Sequence, residues 1–224
     1  MPNLVKYTSD FFAIDSIKYY EGFSYEESVY SNVQFPEISG VDLFSIAGNP
    51  PKNSSKITSD EIKEISRLTK ARSEADIELV YSVDKDPLLL FYPLIDKLNL
   101  SFDLNLFNSL YYRHIAEIID HLKFFYNRAR PFQIAEQLNI KIDRIITKTH
   151  HTPSYPSGHT MYAALAAELL IDKYPEHRTK LDAITKQCGL GRVLQGVHYP
   201  SDNTAAIKII KSIFPQLKNY IMER

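Results

Sequence analysis

Between residues 104 and 125, apolar side chains recur every three or four positions: Leu104, Phe107, Tyr111, Ile115, Ile118, Leu122 and Phe125. That is the period of an α-helix face, and it does not fit a strand, whose faces alternate at every second residue. Ile62, Ile65, Leu68, Ile77 and Val80 follow near-helical spacing upstream. Strand-like alternation is scarce after residue 50. The sequence therefore predicts a mainly α fold, a single-domain helical bundle.

Local signals divide that bundle. Gly48-Asn49-Pro50-Pro51-Lys52-Asn53-Ser54-Ser55 reads as a loop and separates an arm, 1–47, from a helical domain, 48–224. Thr58 and Glu61 resemble a capping box for a helix over 59–82, interrupted near Ser73. Pro87 opens a helix to Leu98. Ser101 or Asp103 caps a third that ends at Arg130, because Pro131 disfavours helical geometry in the residue before it. A shorter helix and a loop occupy 132–156. Further helices are expected over 157–174, over 176–197 (weakened by Gly189, Gly191 and Gly196), and from Pro200 to Phe214. The arm is rich in Tyr and Phe without a clean period. Its aromatics suit packing on the core, a cover over the site, or a homo-oligomer interface.

Composition removes several functions. A net charge of −1 over 224 residues argues against a protein that grips a nucleic-acid polymer. The one cysteine, Cys188, allows no intrachain disulfide and no thiolate metal cluster; it reads as a small buried residue and favours a reducing compartment. The most apolar stretch, Met161 to Ile171, contains Glu168 and is well short of the roughly 20 residues that cross a bilayer, so no transmembrane span is expected. No secretory pattern is visible at Met1–Tyr7, and the expected location is cytoplasmic.

Three groups of residues carry chemistry. Lys123 and Arg130, seven apart and followed by Pro131, would share one face of the third helix. Pro156-Ser157-Gly158-His159 is a turn into a helix, whose first N–H groups attract an anion and whose glycine permits close approach. Arg192, His198 and Asp202 form the third group, with Asp202 placed to accept a hydrogen bond from His198. Three cations and a helix N-terminus make an oxyanion site. Two imidazoles and a carboxylate supply a nucleophile, an acid and an orienting group. Phosphoryl transfer to histidine requires that inventory.

These blocks, Lys123-x6-Arg130-Pro131, Pro156-Ser157-Gly158-His159 and Gly191-Arg192-x5-His198-x3-Asp202, resemble the signature of the type 2 phosphatidic acid phosphatase superfamily. That superfamily includes bacterial class A acid phosphatases and vanadium haloperoxidases. The flanks Arg130-Pro131-Phe132 and Ser154-Tyr155-Pro156-Ser157-Gly158-His159-Thr160 are most similar to the soluble class A enzymes. The resemblance implies a metal-independent acid phosphatase acting on small phosphorylated substrates with no cofactor, its site open to phosphate or vanadate. It implies His198 as nucleophile, Asp202 as its orienter and His159 as proton donor. Lys123, Arg130, Arg192 and the N–H groups of Ser157 and Gly158 would hold the phosphoryl oxygens. Gly191 stands where the family has serine, which predicts one lost hydrogen bond to phosphate, about 1 kcal/mol. The competing readings are a vanadate-dependent haloperoxidase, whose chains the resemblance implies are much longer, and a phosphate-binding interaction module.

Other residues carry weaker signals. His114, Glu117, Asp120 and His121 share one side of a helix without a partner metal motif elsewhere. His150 and His151 precede the second block and are placed to line a pocket mouth, and Tyr155 to pack on a leaving group. The identity of the phosphorylated substrate is open: nucleotides, sugar phosphates, inositol phosphates and polyphosphates all fit the motifs.

Overall fold

The computed structural model describes residues 13–222 and builds the chain from helices; among these residues the only β-pairing is an isolated bridge between Lys18 and Arg128. The helices are α1 (Leu43–Ala47), α2 (Lys56–Lys70), α3 (Glu74–Lys85), α4 (Tyr92–Leu98), α5 (Leu104–Leu110), α6 (Ala116–Tyr126), α7 (Pro131–Gln137), α8 (Gly158–Lys173), α9 (Arg178–Leu194) and α10 (Pro200–Met222). The expected mainly α class holds.

α8 is the central post, packed along α9 and α10. It buries Met161, Leu165, Leu170 and Ile171 together with Ala163, Ala164, Ala166 and Ala167. The four alanines let neighbouring helices approach from several sides, so α8 has no single apolar face. A second cluster joins Ile62 and Ile65 of α2 to Ala129, Ile134, Val193 and Tyr199.

Several boundaries differ from expectation. Ser55, not Thr58, caps α2 and accepts the Thr58 N–H at 3.2 Å; Glu61 turns instead to Ser201. Ser73 does more than interrupt a helix: it caps α3 in a reciprocal box with Asp76. Pro87–Leu90 forms a 3₁₀ turn before α4. Asp103 is the cap of α5, accepting the Leu106 N–H at 2.9 Å.

The predicted third helix is interrupted and then stops early. A π-turn at Tyr111–Ile115 joins α5 to α6. α6 ends at Asn127, whose φ of 43° is the left-handed conformation asparagine tolerates. Arg130 is therefore not on the helix that carries Lys123: it is the extended N-cap of α7. The last helix passes Phe214 and accommodates Pro215. Pro215 lies on the exposed side, as does Lys211, whose carbonyl loses its helical donor there, while Leu217 beyond it is fully buried.

Candidate active site

The loops that enter α7, α8 and α10 converge and bring the three sequence blocks together. His198 precedes α10, whose first turn carries Asp202. The Nδ1–H of His198 donates to Asp202 Oδ2 at 2.9 Å. On the other side of the ring, Arg130 Nη1 lies 3.0 Å from His198 Nε2. A guanidinium has only donors, so Nε2 is the lone-pair nitrogen and Nδ1 carries the proton. The ring is thus presented in the tautomer a nucleophile needs.

Asp202 is held on all sides. Its Oδ2 also accepts the Tyr199 N–H at 3.0 Å and the Ser154 hydroxyl, and its Oδ1 accepts Arg128 Nη1 at 2.6 Å. The Arg128 guanidinium carbon lies over the Tyr199 ring, 3.8 Å from its centroid, and its Nη2 is 3.6 Å from Glu61 Oε2. Glu61 in turn accepts the backbone N–H and the hydroxyl of Ser201 at 2.6 and 2.9 Å.

Three cations lie close to both histidines. Lys123, Arg130 and Arg192 are 4%, 1% and 0% exposed. Arg130 donates to the carbonyls of Thr152 and Val197, and Lys123 to that of Pro153. Among the described residues neither has a carboxylate partner within ion-pair distance. Arg192 pairs with Asp84 at 2.8 Å and reaches Thr149 at 3.1 Å, while its Nε is buried without an acceptor. Burial and mutual repulsion push Lys123 well below the usual lysine range and Arg130 down to about 10. Burial also lowers Arg192, against the opposing pull of Asp84. Charges confined in this way are costly unless an anion joins them.

α8 adds its N-terminus. The first helical hydrogen bond runs from Met161 N–H to the Ser157 carbonyl at 3.0 Å, so the N–H groups of Gly158, His159 and Thr160 have no acceptor within the helix. A Cβ on Gly158 would meet Ile119 at 3.4 Å and Lys123 Cε at 3.8 Å, which shows how closely this turn sits on α6. The expectation for Ser157 needs correcting: its N–H donates to the Asp202 carbonyl at 3.2 Å, and its hydroxyl pairs with Thr160 at 3.0 Å. The serine ties α8 to α10 instead of offering its N–H to an anion.

His159 lines a cavity of about 460 Å³ together with Asp84, Thr149 and Tyr162. Burial first, then the field of Arg192, pushes this imidazole well below the ordinary histidine range. Burial, then Arg130 and Lys123, does the same to His198.

The serine of the family pattern would be crowded at position 191. A Cβ there meets Val83 Cγ2 at 2.9 Å and Leu79 Cγ at 3.5 Å, so Gly191 is the point where α9 and α3 touch. Tyr155 does not pack on a leaving group. It is buried against Tyr126, and its hydroxyl donates to the Ala47 carbonyl at 2.6 Å. His114 pairs with Glu37 at 3.0 Å, and His121 meets the Tyr25 hydroxyl and the Tyr30 carbonyl through Nδ1. Both imidazoles thus have structural partners. His150 and His151 stack at 4.9 Å; His150 is buried with Nδ1 unpartnered and is driven to about 4 by burial and Arg130. Cys188 is buried, its thiol pushed up to about 12 by burial.

Arg128, Asp84, Ser154 and Glu61 escape the sequence reading. Arg128 carried no separate signal, because the expected helix ran through it to Arg130, whereas α6 ends at Asn127.

Residues 105–209 match the PAP2 superfamily, and the matched stretch contains all three blocks from Lys123 to Asp202. The non-specific acid phosphatases of Salmonella typhimurium (strain LT2) and Salmonella typhi are each 35% identical over 80 residues, 36% of this chain and 32% of theirs. The chain therefore spans about a third of the length of the curated relatives it matches.

Proposed function

We propose that the PAP2 superfamily region at residues 105–209 works as a metal-independent acid phosphatase that hydrolyses phosphomonoesters through a phosphohistidine on His198. The observation that carries this reading is the His198 ring: Nδ1 is bound to Asp202 and Nε2 is a lone pair beside a buried cation that has no carboxylate partner.

In the first step Nε2 attacks phosphorus, and the bond to the leaving oxygen breaks. His159 gives that oxygen its proton. Asp202 stabilises the positive charge that grows on His198. Lys123, Arg130, Arg192 and the first N–H groups of α8 hold the non-bridging oxygens. In the second step the neutral His159 takes a proton from water, the water oxygen attacks phosphorus, and the P–N bond breaks to release phosphate. Side-chain cations and backbone dipoles supply the charge stabilisation in both steps.

The two histidines set the pH dependence. His198 must be neutral to attack, and its lowered proton affinity keeps it neutral well into the acid range. His159 must be protonated to act first, and its lowered affinity makes protonation in the free enzyme fall away as pH rises. The dianionic substrate opposes that loss once bound. The kcat/KM profile should therefore peak on the acid side of an ordinary histidine, with the basic limb of kcat displaced to higher pH.

Hydrolysis of p-nitrophenyl phosphate with EDTA present, from about pH 4 to 8, tests the reading beside His198→Ala. Activity that survives chelation, follows this profile and falls at least about a thousandfold in the variant is expected. A variant rate within about tenfold of wild type would exclude His198 as nucleophile.

A further inference from the structure

The cavity beside His159 has further lining residues. Tyr111, Tyr112 and Tyr162 line it together with Asp84, Lys85 and Asp86. If His159 protonates the leaving oxygen, the leaving group occupies this space, and its lining selects the substrate.

The tyrosines form one aromatic surface. Tyr111 meets Tyr162 edge-on at 4.6 Å and Tyr112 edge-on at 5.1 Å. Tyr162 is hydrogen-bonded to Asp86, which also accepts the Leu88 N–H at 2.9 Å, so that ring is fixed in place. Tyr112 is 67% exposed. Tyr111 and Tyr112 stand at the start of the π-turn Tyr111–Ile115, a rare helix irregularity that resets which residues face inward and often marks functional sites.

The charged part of the lining offers no net positive charge. Asp84 is committed to Arg192, Thr147 and Thr149. Lys85 and Asp86 offset one another. The buried cations Lys123, Arg130 and Arg192 are grouped about the two histidines of the phosphoryl site.

We propose that this cavity is a leaving-group subsite for an uncharged planar aromatic ring, as in a nucleoside monophosphate or an aryl phosphate, and that it disfavours both sugar phosphates that lack such a ring and substrates carrying a second phosphate. Its volume of about 460 Å³ is that of a small-molecule site. Aromatic faces stack on any planar ring with little regard to its identity. This inference rests on the phosphatase reading for the position of the leaving group.

The test compares kcat/KM for adenosine 5′-monophosphate and ribose 5-phosphate, which share a leaving alcohol and differ by the ring. Adenosine 3′,5′-bisphosphate reports on the second phosphate. Binding of phenylphosphonate and methylphosphonate, which are not hydrolysed, provides a readout without turnover. The expected result is a preference of about tenfold or more for the nucleotide over the sugar phosphate and over the bisphosphate. Tyr112→Ala should reduce that preference, lowering kcat/KM for the nucleotide several-fold more than for ribose 5-phosphate. Equal kcat/KM for the nucleotide and the sugar phosphate, or a preference unchanged in Tyr112→Ala, overturns the subsite and leaves the phosphatase standing. No turnover of any ester, with phenylphosphonate bound about tenfold more tightly than methylphosphonate, upholds the ring site and overturns the phosphatase. Equal binding of the two phosphonates, without turnover, overturns both.

Discussion

Arg128 and Arg130 are two residues apart and serve opposite sides of His198. Arg130 faces Nε2, whereas Arg128 grips the carboxylate behind the ring. With Oδ1 fixed by Arg128, Oδ2 is left to His198, Tyr199 and Ser154. Arg128→Gln removes the cation from a buried pair and leaves Asp202 with uncompensated charge. The expected cost is about 3–5 kcal/mol in urea unfolding, partly recovered in Arg128→Lys; a loss below about 1 kcal/mol would show that the pair is not structural. The charged residues of the three blocks were legible because each block has a fixed internal spacing. Asp84 was not, because it reaches Arg192 only when α3 packs on α9, across a sequence separation of 108 residues. A lone aspartate near the end of a helix carries no local mark of that meeting.

At the scale of elements, helix existence was plain and helix continuity was not. The apolar stripe over 104–125 reads as one uninterrupted helix, yet the π-turn resets its register and leaves Phe125, its last member, 42% exposed. The end at Asn127 hinges on one left-handed residue fixed by tertiary contacts: Asn127 Oδ1 accepts the Tyr20 N–H at 3.0 Å, and its Nδ2 donates to the Tyr20 carbonyl at 2.9 Å. Proline at 131 marked a boundary and over-estimated the helix before it. Gly191 is a further case: its departure from the family pattern reads from sequence as a missing phosphate contact, whereas the packing makes it a contact point between helices. Gly191→Ser should therefore destabilise the protein by about 1–3 kcal/mol, because Val83 is fully buried and its own Cβ lies 3.3 Å from the new one. The unfolding midpoint and phosphate titration measured together would check this. A serine variant that binds phosphate more tightly at unchanged stability would restore the sequence-based view.

Across the whole molecule, the arm and the bundle meet at the site. Tyr30 stacks on Phe124 of α6 at 4.0 Å, and Tyr25 meets Phe125 edge-on at 5.2 Å. The hydroxyls of Tyr19 and Tyr20 donate to the carbonyls of His150 and His151, so the arm also holds the loop leading into the second block. The sequence indicated aromatic packing for this arm; its partners were illegible because they depend on where α6 ends. Among the described residues no helix is long and apolar enough to cross a membrane. The fold as a whole sequesters three cations and two imidazoles among buried backbone carbonyls and leaves a cavity beside His159.

The most direct measurement is to quench the reaction with p-nitrophenyl phosphate in alkali, where phosphohistidine persists, and to map the modified peptide by mass spectrometry. His159→Ala should accumulate the intermediate, because p-nitrophenolate leaves without needing a proton while the base that activates water is gone. The account predicts one phosphoryl group on His198, labile to acid and absent from His198→Ala. A phosphoryl group on another residue, or product formed by His159→Ala with His198 never modified, would contradict it.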